Sequence, residues 1–536
     1  MKLTIKHITI VSLSILLLIG AFGCQEEWLT ENPLSELSEA SFWRNENDAL
    51  LALNGLYALG PFDYGATRGF SHCTDDSRDK MGTNIWRTGQ FFDPTDGNIV
   101  SSLWSSHYKM IYRANMFLEN IDRIEMDATL KEEYIAQVKF FRAEQYFWLS
   151  FRYGDVPLVT HVLSVEEANS VSRTPRQQVE DFVLQELTDA AISLPWAVPA
   201  DQLGRILKGA ALTYKARLLM IHKKWPEAAL VLKQIIDSGE HLIDPRFSGL
   251  WTYDGNLSKE IIYSKVAILG ISEFKHPNVN YAPEIYGGFQ EVNTYQETVD
   301  AFLMIDGLSI EESPMYDADH PFDNRDPRLY ESIFLPEYTV FRGSLYLAHP
   351  DSTKFGIRSL PGATGYHCKK FMDQSLPNGL KSAGQDAIYI RYAEVLLSYL
   401  ECMIESGQNI TQDLLDQTIN QIRGREAINM PPVTETSPDL LREILRREWR
   451  VEFLFEPFMR HMCVHRWDIW PEMMNITLHG MKLTDDPENY TTYPVDEKGH
   501  LIIWDRTGHF FPYNRLLPIP QGELDINPNL TQNPGY

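Results

Sequence analysis

At 536 residues, with 44% apolar and 23% charged side chains, the chain has a globular composition and enough length for two or three domains or one large helical assembly. Its formal net charge of −25 disfavours contact with a phosphate backbone, so nucleic acid is not an expected partner. Past the N-terminus no apolar run approaches the roughly 18 residues that cross a bilayer.

Lys2 and Lys6 precede an apolar core from Ile8 to Ile19, about the length of a signal-peptide core and too short to span a membrane. Gly20, Ala21 and Gly23 are the small residues a peptidase needs. A cut before Cys24 removes residues 1–23 and leaves a thiol at the new N-terminus, open to acylation in the manner of a bacterial lipoprotein. Next, "EASFWRNENDALLALNGLYALG" sets Phe42, Ala49, Leu53, Leu56 and Leu59 at mostly helical spacings and stops at Gly60-Pro61. Residues 63–98, rich in Gly, Asp, Thr and aromatics without a sustained period, read as a long irregular surface loop.

Helical patterning returns at "WSSHYKMIYRANMFLENID". It continues in "YIAQVKFFRAEQYFWLSFRYGD", where Ala136, Phe140, Ala143, Phe147 and Phe151 form one stripe and Val138, Phe141 and Trp148 another. A helix apolar on two faces is packed on both. The segment from Gly204 to Gly239 breaks at His222–Lys224, restarts with Pro226 in a first turn and ends at Gly239, a helical hairpin with Ala211, Ala216, Ala228 and Ala229 as close-approach residues. Residues 241–385 shift toward Gly, Pro, Asn, Asp and Tyr, with strand-like pieces such as "EIIYSKVAI", and read as a loop-rich lobe. A second hairpin is expected after it, with Tyr389, Ala393, Leu396, Leu400 and Met403 on one helical face.

Chemistry-bearing patterns are few. His461 and His465 lie four apart with Cys463 between them, but further metal ligands are missing, so packed histidines and no metal are expected. Glu448 and Glu452, one turn apart among Arg446, Arg447 and Arg450, read as an ion-pair network rather than an acid and base. Cys73, Cys368, Cys402 and Cys463 show no CxxC spacing, and no required disulfide is expected. There is no HExxH, GxSxG, P-loop or dinucleotide glycine pattern, hence no cofactor.

Six segments together carry a resemblance: "EWLTENPLSELSEASFWRNENDALLALNGLY", "FRAEQYFWLSFRYGDVPLV", "NRDPRL", "IYIRYAEVLLSYLE", "INQIRGREA" and "LLPIPQGELDINPNLTQNPGY". They resemble the SusD/RagB family of Bacteroidota outer-membrane lipoproteins. The chain departs from the family at "FEPFMRHMCVHRW", where a Glu-Gly-x-Arg run is commoner. The resemblance implies a mostly α fold, a tetratricopeptide-like scaffold of helical hairpins with a loop-rich, irregular lobe. It also implies a SusC-like TonB-dependent partner and a surface-facing lipoprotein, with Glu26 and Glu27 resembling the export signal. The implied organisation is 24–240, 241–385 and 386–536. The implied function is non-catalytic capture of glycan for import, with a peptide receptor or a glycan-active enzyme as alternatives.

For the ligand, "GATRGFSHCTDDSRDKMGTNIWRTGQFFDP" offers rings (Phe70, Trp86), cations (Arg68, Arg78, Arg87) and acceptors (Asp75, Asp76, Asn84). The later lobe adds Tyr281, Tyr286 and Phe289. Trp86, lacking an apolar partner at helical or strand spacing, is the expected stacking platform, whereas Trp104 opens a periodic helix and is expected in the core.

Overall fold

The computed structural model describes residues 42–60, 74–79, 93–95, 99–268, 270, 281–283, 288–289, 291–348, 364–373, 384–504 and 512–536. The expected signal peptide (residues 1–23), Cys24, Glu26 and Glu27, Arg68, Phe70, Cys73, Asn84, Trp86, Arg87 and Tyr286 lie outside the described residues.

Helix α1 (Glu46–Leu59) starts where the Asn45 side chain accepts a hydrogen bond from the Asp48 N–H at 3.2 Å, and it buries Ala49, Leu53 and Leu56 completely. Helices α2 (Val100–Asn120) and α3 (Ala128–Tyr153) follow, the second capped by Asp127 at 2.9 Å from the Leu130 N–H. Both apolar stripes of α3 are buried, because it packs on α2 along one side and on α4 (Arg176–Ser193) along another. The expected hairpin is α5 (Lys208–Ile221) and α6 (Trp225–Ser238), with Pro226 in the first turn of α6. Gly239 ends it in the left-handed region at φ 67°, a conformation that glycine adopts without strain. Each helix packs on the next from α2 to α6, which lets every amphipathic face find a partner.

The scaffold and the lobe are stitched by strands. β1 (Ser77–Asp79), β3 (Val292–Thr294), β7 (Tyr366–Cys368) and β4 (Ile333–Phe334) form one antiparallel sheet in the order β1-β3-β7-β4. β2 (Ile261–Lys265) pairs with β8 (Ala387–Arg391), β5 (Val340–Phe341) with β6 (Ser344–Leu345), and β9 (Leu478–Lys482) with β10 (His500–Trp504). Two readings are corrected here. Tyr389 is not on a helix: "AIYIR" is strand β8, and the next helix, α8 (Tyr392–Glu405), begins after it, because pairing with the distant β2 satisfies that backbone. Residues 74–79, expected in an exposed loop, are an edge strand and its approach, with Thr74 to Arg78 buried.

A short helix, α7 (Gln296–Ala301), follows β3, and the long α9 (Pro438–Glu452) crosses from scaffold to lobe. α9 packs on α8 and α7, and its end feeds Val451, Leu454 and Phe455 into the lobe's apolar core beside Phe302, Phe334 and Tyr366. Along that junction runs a buried ion cluster. Glu452 accepts from Arg391 at 2.7 Å, Arg425 at 2.9 Å and Arg328 at 2.9 Å; Glu448 accepts from Arg328 at 2.5 Å and Arg423 at 3.1 Å. The expected ion-pair role of Glu448 and Glu452 is therefore observed, but with partners far away in sequence rather than Arg446, Arg447 and Arg450. Burial opposes ionisation of Glu452, yet the Arg391, Arg425 and Arg328 guanidiniums hold its carboxyl well below the usual range.

His461 and His465 sit in α10 (Met459–Trp467), with both rings against Phe151 and His461 also against Trp470. Burial drives the His461 imidazole down to about 3 and the His465 imidazole to about 4. Cys368, Cys402 and Cys463 are buried free thiols, a state their apolar surroundings favour. Trp104, 4% exposed, is in the helical core as expected.

Candidate functional site

A cleft of about 750 Å³ opens in the lobe between α7, the turn-rich segment 316–325, Tyr338 and the β9/β10 hairpin. Its base is a hydrogen-bonded chain. The Tyr366 hydroxyl, carried by β7, donates to Gln296 Oε1 at 2.6 Å, and Gln296 Nε2 donates to Asp300 Oδ1 at 2.8 Å. Burial raises the Asp300 carboxyl. Arg325 braces one wall: it donates to the carbonyls of Val299 and Phe302, each at 2.7 Å, at the C-terminal end of α7, and to Pro321 O at 2.9 Å. A cation at a helix C-terminus is favoured by the dipole, and here it also fixes the 316–325 turns against α7.

On that braced wall stands an aromatic platform. The Tyr330 hydroxyl donates to Phe322 O at 2.7 Å and accepts from the Arg325 N–H at 3.0 Å, which locks the ring, and burial pushes its phenol up to about 12. Tyr338 lies over it, centroids 5.2 Å apart and planes 19° apart, with Phe322 edge-on at 6.0 Å. Tyr338 is 41% exposed, so one face is supported and the other looks into the cleft. Around it the rim carries Asp319, His320, Asp323, Glu337, Lys482 and Lys498. The hairpin side is tied to α7 by His479, whose Nδ1 lies 2.5 Å from Glu297 Oε1, and within the hairpin His500 lies beside Asp496 at 3.4 Å. Burial pushes Asp496 up, but the backbone N–H and charge of His500 bring it below the ordinary range. The arrangement is one open ring face, both hydrogen-bond donors and acceptors around it, and a rigid base.

Those residues picked from sequence that are described fall elsewhere. Arg460 grips Asp75 through two hydrogen bonds of 2.9 and 2.5 Å, and Arg450 binds Asp76, so these carboxylates, 6% and 4% exposed, are occupied inside the protein and are not open acceptors. Arg78 is 6% exposed in β1, in register with Asn293. Tyr281 is 2% exposed against Phe371 and is a core ring, not a platform. Phe289 is 54% exposed, as a contact ring must be. The cleft residues are missing from the sequence-based set, although "SPMYDADHPFDNRDPRLY" has the same signature of rings among Asp, Asn and Pro without periodicity.

The family profile described as "SusD family" matches residues 244–536, and one described as "Starch-binding associating with outer membrane" matches residues 27–220. The chain belongs to the SusD family. A SusD-like protein of Formosa agariphila is 27% identical, over 97% of this chain and 98% of the relative. A SusD-like carbohydrate-binding protein from Bacteroides fragilis is 32% identical with a TM-score of 0.83, over 91% of this chain and the whole of that one. A laminarin-binding SusD-like protein shares the fold at a TM-score of 0.68 and 21% identity, over 92% and all of the two chains. The mostly α SusD-like fold read from the sequence is thus the fold observed. Among the described residues no helix is long and apolar enough to cross a membrane, while the SusD family is associated with the outer membrane. Within the SusD-like framework, three of the segments that carry the resemblance supply the ion pairs and braces of the architecture. "NRDPRL" supplies Arg325, Asp326 and Arg328, "IYIR" supplies Arg391, and "INQIRGREA" supplies Arg423 and Arg425.

Proposed function

We propose that this chain is a surface glycan-binding lipoprotein of the SusD family. It captures oligo- or polysaccharide without cleaving it and passes it to a SusC-like TonB-dependent transporter, with Cys24 as the lipid anchor. The observation that carries the reading is Tyr338: a half-exposed ring, backed by Tyr330 and set in a cleft rimmed by donors and acceptors. Pyranose C–H faces stack on such rings while the hydroxyls pair with charged and amide groups. The carbohydrate-binding description of the Bacteroides fragilis relative and the laminarin-binding neighbour support the ligand class. The rings outside the described residues, Phe70, Trp86 and Tyr286, together with Phe289, belong to the same proposal as a second contact area.

An open platform desolvates only a few sugar rings, so micromolar to millimolar binding is expected. A glycan array identifies the ligand, after which calorimetry on Tyr338→Ala and Trp86→Ala tests the two areas. Tyr338→Ala should weaken binding by about 1–3 kcal/mol, the scale of one hot-spot contact, with an unchanged melting temperature. Normal binding by both variants, or release of shortened sugars from the cognate glycan, refutes the proposal.

A further inference from the structure

The terminal segment "LLPIPQGELDINPNL" does more than close the fold. Its short helix α11 (Gln521–Ile526) and the residues after it form one wall of a second pocket, of about 270 Å³, whose floor is the face of α2 bearing Trp104, Tyr108 and Ile111. The tail is fixed there, since Asn527 Nδ2 donates to Val171 O at 2.8 Å and Asn529 Nδ2 to Ser170 O at 2.7 Å. The lining is predominantly apolar: Pro157, Val159 and Leu530 complete the walls. Into it projects one carboxylate, Glu523, half buried and raised by that burial, which accepts no hydrogen bond and has no ion-pair partner among the described residues.

A carboxylate drawn out of water without a partner is costly, and a cation seated beside it recovers that cost. The volume lies just under the range of drug-sized sites, roughly 300–1,000 Å³, so it suits one side chain rather than a run of sugar rings. The apolar lining calls for an apolar stem and Glu523 for a positive head, the construction of arginine and lysine. The lining itself includes an exposed apolar side chain, Tyr112 at 47%, and Val165 and Ile526, at 80% and 64%, lie within two residues in sequence of the lining residues Leu163 and Asn527. Exposed apolar side chains beside a pocket are what a partner surface covers when an anchor residue enters it.

We propose that this pocket receives one basic side chain from a partner polypeptide, its stem against Trp104 and Tyr108 and its head on Glu523. The site is separate from the cleft and does not depend on the glycan reading. Calorimetric titration of the full chain with the peptide acetyl-Leu-Arg-Leu-amide, its citrulline counterpart and agmatine tests it. The arginine peptide should bind about tenfold more tightly than the neutral citrulline peptide and more tightly than agmatine. Glu523→Gln should erase the difference between the two peptides, and Tyr112→Ala should weaken both. Equal binding of the two peptides to the unaltered protein overturns the proposal whether or not the variants fold. Agmatine binding as well as the peptide overturns it in favour of a small cation, and retained discrimination in Glu523→Gln overturns the role of the carboxylate.

Discussion

Glu144 lies in the middle of α3, fully enclosed, with hydrogen bonds from the Tyr214 hydroxyl at 2.7 Å and the Tyr263 hydroxyl at 3.3 Å as its support. Burial raises its carboxyl to about 7, against which the two phenols and the Arg217 charge act only in part. An unfolded glutamate releases its proton near pH 4.3, so between roughly pH 4.3 and 7 the native state holds a proton that the unfolded chain has lost. Stability therefore falls as pH rises through that window, by about 4 kcal/mol at about 1.4 kcal/mol per unit, and the loss is complete above pH 7. Asp386, raised to about 6 by burial, acts in the same sense. Glu144→Gln keeps an acceptor for Tyr214 and removes the titration. The variant should match the parent at pH 5 and exceed its melting temperature at pH 8. Parallel melting curves across this range would show that Glu144 stays ionised in the fold.

At the scale of one element, α9 and the turn after it carry a stripe of acids at 448, 452 and 456, each four residues on from the last, that meets Arg328, Arg391, Arg423, Arg425 and Lys370 inside the protein. Such a cluster adds little net energy relative to apolar packing, but breaking it leaves stranded charges. Glu452→Gln, which leaves three guanidiniums facing a neutral amide, should cost about 3–5 kcal/mol in urea unfolding and change little with salt, because buried pairs are weakly screened. A loss below about 1 kcal/mol, or one that vanishes in salt, would mean the pairs behave as surface pairs do. The same helix marks how far local reading reaches. The spacing of Glu448 and Glu452 indicates ion pairing, and Pro226 and Gly239 bound the second helix of the hairpin, since periodicity and caps act within a turn or two. Tyr389 became strand because β2, more than a hundred residues earlier, pairs with it. Asp75 and Asp76 are buried because Arg460 and Arg450 lie 385 and 374 residues on. Composition alone could not separate those carboxylates from ligand acceptors. Tyr338 shows the converse: its platform depends on Tyr330 and Phe322 folding back beneath it, which no spacing encodes.

For the whole molecule, two apolar cores meet at α9, and the cleft lies in the lobe, away from the helices whose faces pack on one another. This division puts rigidity in the scaffold and recognition in braced turns. It also leaves the described surface without a membrane-crossing helix and with an acidic overall balance, which gains nothing from an anionic membrane face. In the function proposed above, attachment rests on an acylated N-terminus. One acyl chain holds a protein only marginally at a bilayer, so stable anchoring calls for more than one chain on Cys24 or for a second contact with a membrane partner. Cys24→Ala removes the lipid contribution and leaves the cleft untouched. The variant should move from the membrane pellet to the soluble fraction, with the melting temperature and the affinity for the cognate glycan of the parent. Were it to remain in the pellet and be released only on loss of the partner transporter, attachment would run through protein contacts, and the lipid would not be the anchor proposed here.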